Sequence, residues 1–253
     1  MPFPLPRPPL RHACLPLLAA LLGACGAPPA PPPPPAAAPA AIATLAPSST
    51  SSPATVAVFE RLPDPSVAQA QAWGVGAALH YVHFRDREGE GLLALTQEDR
   101  EEADPDNPDQ AMPVAVLTAT LHRRSGGGAF QRRWTEQVRT PCPDLDLDAG
   151  WYAGQSGATD LDGDGHAEIT LASHRFCGGG VDPQQIRITF IAGTQRYGIE
   201  GESLVAFEGE APFGGERQDD AALATAPAPF RRHLDAVWNA VRVMPAGAEA
   251  PVP

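Results

Sequence analysis

The chain is 253 residues long, with 30 Pro and 24 Gly, 43% hydrophobic residues and only 6% aromatics. All 18 basic residues are Arg, set against 30 acids for a formal charge of −12 and a pI near 4.9, which excludes a basic surface for gripping nucleic acid. After the N-terminal segments described next, roughly 170 to 190 residues remain, enough for one domain and too few for two large ones.

Residues 1–24 carry Arg7 and Arg11, then the apolar run Ala13 to Leu22, the layout of a signal peptide. That run is much shorter than the roughly 20 residues a membrane-spanning helix needs, so a retained span is not expected. The tetrad Leu22-Gly23-Ala24-Cys25 resembles the lipobox of bacterial lipoproteins, in which the thiol is acylated and cleavage falls before the Cys. An ordinary cleaved signal with an incidental Cys25 is the alternative. Several acyl chains would anchor the protein durably to a membrane, and Gly26, rather than Asp, after the Cys resembles lipoproteins sorted to the outer membrane. Cleavage removes Arg7 and Arg11 and leaves a mature charge of −14. From residue 25 to about residue 65 the composition is rich in Pro, Ala and Ser, including Pro31 to Pro35, and predicts a disordered tether.

Residues 66–245 form the expected globular domain, with 246–253 a disordered tail. Short alternating apolar segments between Gly, Pro, Asn and Asp predict strands at Ala77 to Phe84, Gly91 to Thr96, Val114 to His122, Phe130 to Val138, Ala167 to His174 and Ser203 to Phe207. The clearest is a hairpin. Ile186, Ile188 and Phe190 share one face of Gln185 to Ile191, followed by a turn at Ala192 to Gln195 and a partner strand with Tyr197 and Ile199. Glu98 to Asp109 holds seven acids against Arg100 alone and reads as a mobile, solvated loop. After Pro227 and Pro229, the spacing of Phe230, Leu234, Val237, Trp238 and Val241 predicts an amphipathic helix. The expected fold class is mainly β: a single antiparallel β domain with a C-terminal amphipathic helix.

If Cys14 leaves with the signal and Cys25 carries lipid, only Cys142 and Cys177 remain to pair. An oxidising compartment then predicts a Cys142–Cys177 disulfide; a two-thiol metal or redox site is the poorer alternative, since no C-x-x-C pair is present.

One constellation carries chemistry. Asp160 to Ile169 reads DLDGDGHAEI and places carboxylates at Asp160, Asp162, Asp164 and Glu168. Hard cations such as Ca²⁺ take six to eight oxygens, which alternating Asp residues on a tight loop can supply. The opening resembles an EF-hand loop, but the twelfth position is Leu171, so the usual last Glu is missing. The loop is more similar to the shorter D-x-D-x-D-G-x-x-E loops between strands of integrin-type and other extracellular β proteins. A structural Ca²⁺ would take Asp160, Asp162, Asp164 and Glu168 as side-chain ligands and His166 through its carbonyl; a solvated polar loop is the alternative. No catalytic residue is nominated. Gly154-Gln155-Ser156-Gly157 lacks the second Gly spacing of a nucleophile elbow, and His80 and His83, three apart in a strand, point to opposite faces.

The stretches TDLDGDGHAEI (159–169), RFCGGGVDP (175–183), GESLV (201–205) and HLDAVW (233–238) resemble a family of bacterial envelope proteins named for surface polysaccharide biosynthesis. The likeness covers roughly Trp73 to Arg242. It implies export and a pathway association without an assigned reaction, and it carries over the acid loop and the Cys142 and Cys177 pair. The expectation is a non-catalytic binding or accessory lipoprotein, held to the outer membrane on its periplasmic side by its lipid. Its partners would be an envelope polysaccharide or an assembly protein, with no nucleic acid. The alternative is an envelope-glycan hydrolase using a carboxylate pair.

Overall fold

Antiparallel hairpins build nearly all of the fold in a computed structural model that describes residues 59–243. The signal peptide, Cys25, most of the tether and the tail lie outside the described residues. The strands are β1 (Glu60–Arg61), β2 (His80–Asp86), β3 (Gly89–Ala103), β4 (Ala111–Arg124), β5 (Gln131–Pro141), β6 (Asp146–Trp151), β7 (Gly157–Thr159), β8 (Glu168–Gly178), β9 (Gln185–Ala192), β10 (Gln195–Glu202), β11 (Leu204–Val205), β12 (Phe213–Gly214) and β13 (Arg217–Asp219). Two helices, α1 (Val67–Ala72) and α2 (Ala228–Val241), complete the set with two short 3₁₀ turns. The fold is mainly β, as its alternation predicts.

Strands β1 to β5 form one sheet in chain order, and a second sheet runs β13-β10-β9-β8-β6, with β7 beside β6 along the same flank of β8. The period of two decides which residues meet. Val82, Phe84, Leu93, Leu95, Ala119 and Leu121 of the first sheet pack on Ala158, Ala167, Ile169, Leu171 and Ile191 of the second. The intervening positions of β9 and β10, Ile186, Ile188, Phe190, Tyr197 and Ile199, face the other way and are covered by Phe230, Leu234, Val237, Trp238 and Val241 of α2. On the far side of the first sheet, Tyr81, Leu92 and Ala94 are covered by Ala70, Val75 and Phe130. The layers are therefore α1, sheet, sheet, α2. Each fully buried Leu, Ile or Phe adds about 1.5–3 kcal/mol, so the two interior layers carry most of the stability.

Cys142, just after β5, is disulfide-bonded to Cys177 of β8, with Cα atoms 5.3 Å apart. The bond ties one sheet to the other. Glu168 begins the same strand, about 30 Å away at roughly 3.3 Å per residue.

Several expectations are corrected. Glu98 to Ala103 is not a loop but the second half of β3, paired with Ala111 to Val116. Arg100 bonds Glu102 and lies 3.6 Å from Glu98, and Arg139 of β5 bonds Glu102. Arg100 of the same strand and Arg139 of β5 thus offset the repulsion that the isolated segment implies, and only Asp104 to Gln110 forms the turn. The chain is also structured before residue 66: β1 pairs with β2, Arg61 meeting Phe84. The segment Ser203 to Phe207 contributes only the two-residue β11. Helix α1 and strand β6 have no counterpart among the expected elements.

Candidate metal centre

The acid loop connects β7 to β8. Thr159 pairs with Glu168 across the two strands, so the chain must reverse between them within eight residues. Gly163 and Gly165 make that reversal with φ of 75° and 82°, in the left-handed region that a side chain disfavours. Successive side chains then fold over the loop's own backbone. The Asp164 N–H donates to Asp162 Oδ1 at 3.1 Å, the Gly165 N–H to Asp160 Oδ2 at 3.1 Å and the His166 N–H to Asp164 Oδ1 at 2.7 Å. From β8, Glu168 reaches back and accepts from the Leu161 N–H at 2.8 Å.

As a result, one oxygen from each of Asp160, Asp162, Asp164 and Glu168 lies within 4.8 Å of the others, the four side chains expected from sequence. Asp162 and Asp164 are exposed and Asp160 partly so, whereas Glu168 is only 3% exposed. Burial and, secondarily, the charges of Asp162 and Asp160 push the Glu168 carboxyl up to about 7 from its ordinary 4.5, against the Leu161 N–H, which lowers it. Asp160 Oδ1 is buried with no hydrogen-bond partner among the described residues. Such an oxygen costs about 1–3 kcal/mol unless something fills its valence, and a divalent cation would meet both it and Glu168. The oxygen-only donor set suits a hard ion and excludes none of that class. The His166 side chain is exposed, its imidazole lying 3.9 Å from Glu88.

The rest of the surface offers less. A groove of about 590 Å³ lies beside β9, β10 and β13, and three of its four carboxylates are ion-paired: Glu136 with Arg196, Glu200 with Arg187 and Asp219 with Arg217. Ser156 is buried and bonded into the sheet, its hydroxyl accepting from the Ala172 N–H at 3.0 Å. Thr170 and His233 were not anticipated as a pair. The Thr170 hydroxyl lies 2.8 Å from His233 Nε2, and burial pushes the imidazole below its ordinary value. Thr170 is 2% exposed, which suits a satisfied core contact. As the spacing predicts, His80 and His83 face opposite ways: His83 stacks near Trp73, ring centres 5.4 Å apart, and His80 lines a cleft with Thr170 and His233. Trp73, Trp134 and Trp151 are all partly buried; Trp151 donates to the Thr96 carbonyl at 3.0 Å.

No protein-family model, curated protein or solved structure matches the chain. No helix among the described residues is long and apolar enough to cross a membrane.

Proposed function

We propose that the chain is an exported lipoprotein, anchored to the outer membrane through an acylated Cys25, whose β domain is braced by a structural Ca²⁺ and serves as a non-catalytic binding or accessory protein in surface polysaccharide biosynthesis. The observation that carries the calcium part is the convergence of Asp160, Asp162, Asp164 and Glu168 within 4.8 Å, together with the buried Asp160 Oδ1 that has no hydrogen-bond partner among the described residues. Acids this close repel unless a cation joins them, and Ca²⁺ tolerates the irregular oxygen geometry that Mg²⁺ resists. The His166 carbonyl supplies a further oxygen, and water completes the shell.

Export is supported by the lipobox-like tetrad and by the Cys142–Cys177 disulfide, a bond at home in an oxidising compartment. The pathway assignment rests on the sequence resemblance alone. Against the hydrolase alternative, three of the four carboxylates in the groove beside β9, β10 and β13 are held by arginines.

Two measurements test the reading. Labelled palmitate should mark the full chain and be lost in Cys25→Ser, and the chelated protein should melt higher on adding millimolar Ca²⁺. Absence of label removes the anchor, and an unmoved melting curve removes the ion.

A further inference from the structure

Beyond the four acids, the loop is held from outside by the turn between β2 and β3. Its anchor is Asp86, whose side chain is fully excluded from solvent and which lies 81 residues upstream of the backbone it binds. Asp86 Oδ2 accepts from the Ala167 N–H at 2.9 Å. Its Oδ1 accepts from the Arg123 guanidinium at 2.7 Å and from the Glu88 N–H at 2.9 Å. The neighbouring Arg87 N–H donates to the Gly165 carbonyl at 2.8 Å.

These bonds fix two consecutive peptide planes. In a trans peptide the C=O and N–H point in opposite directions. The Gly165 carbonyl is directed at Arg87, so the His166 N–H must point the opposite way, and it does: it meets Asp164 Oδ1. By the same rule, with the Ala167 N–H directed at Asp86, the His166 carbonyl is turned away from Asp86. That leaves it flanked in sequence by the ligating side chains of Asp164 and Glu168.

We propose that Asp86, held by Arg123, is a positioning residue for the cation site: by binding the Ala167 amide it orients the His166 carbonyl as a ligand and ties the ion to the first sheet. The inference rests on the calcium reading above. Its consequence is architectural. One end of β8 is joined to the first sheet by the disulfide at Cys177, and the other end by the Asp86 clamp beside the acid loop. Partners that orient metal ligands without touching the metal typically change affinity 10- to 100-fold when removed.

The test is calorimetric Ca²⁺ titration of the exported protein as wild type, Asp86→Asn and Asp64→Asn, each at a temperature where circular dichroism shows it folded. Asp64 is the control, a carboxylate between β1 and α1 that accepts from the His83 N–H of the first sheet and from Arg61 but not from the acid loop. Asp86→Asn should weaken Ca²⁺ at least 10-fold, and Asp64→Asn should leave the affinity unchanged while lowering the melting temperature. Equal affinity in wild type and Asp86→Asn overturns the positioning role and leaves the calcium reading standing. No binding by wild type overturns both. Should Asp86→Asn not fold, amide exchange in the wild type decides: saturating Ca²⁺ should slow exchange at Arg87 and Ala167, and unchanged rates there in a protein that binds Ca²⁺ overturn the proposal.

Discussion

Replacing Glu168 by Gln should stabilise the ion-free protein at high pH while removing its response to calcium. The Glu168 carboxyl titrates near 7 in the fold and near 4.5 when exposed. Between those values the folded state holds a proton that the unfolded chain has released, so in chelator this group withdraws stability as pH rises from about 4.5 to 7. At about 1.4 kcal/mol per tenfold change in proton affinity, the full loss is about 3 kcal/mol above pH 8. Gln keeps the oxygen that accepts from the Leu161 N–H and never ionises. In chelator the variant should therefore melt higher than wild type at pH 8, by about 6–12 °C at 2–4 °C per kcal/mol, and the two should converge near pH 4.5. The difference between the proteins isolates the site from every other carboxylate. With 10 mM Ca²⁺ the gap narrows. At an affinity typical of extracellular sites, Kd about 10⁻⁴ to 10⁻³ M, wild type gains about 1.4–2.7 kcal/mol, and the variant, one carboxylate short, gains much less. Differential scanning fluorimetry at four or five pH values, with chelator and with calcium, reads both effects. A Gln variant that melts below wild type in chelator at pH 8 would refute the burial argument.

Three further outcomes follow from the packing. Replacing both Cys142 and Cys177 by Ser opens a loop of 35 residues and should cost about 4 kcal/mol in urea denaturation, and an unchanged midpoint would show that the bond closes nothing the rest of the fold leaves free. Leu234→Ala, at a fully buried position of α2 against β9, should cost about 2–5 kcal/mol and lower the melting temperature with or without calcium. Gly91→Ala drives a methyl group into the Phe84 ring inside the sandwich, so about 1–3 kcal/mol should be lost; a neutral result would mean that the ring has room to move.

Where local sequence and tertiary environment agree, the fold is readable in advance. The β9–β10 hairpin follows from strict alternation around Gly193, and the five apolar positions expected to face inward on α2 are all buried. The four converging acids are legible for the same reason, since the loop that gathers them spans only nine residues and turns on its own glycines. Where the deciding partner is distant, the reading fails. Seven acids between Glu98 and Asp109 say nothing of Arg139, which pairs with Glu102 from another strand. Helix α1 buries only Ala70, so it has no apolar stripe to announce it beyond its Ser66 cap. Asp86 is one acid among several in a turn that reads as ordinary surface, and only the first sheet's position over the acid loop reveals its bond to Ala167.

The most direct measurement of the central claim is calorimetric titration of Ca²⁺ into chelated wild type and Asp160→Asn at pH 8. The account predicts one ion per chain with Kd between about 10⁻⁴ and 10⁻³ M for wild type, and binding at least tenfold weaker for the variant, which loses the charge beside Glu168. Titrations that are flat for both proteins, or an affinity indifferent to Asp160, would contradict it.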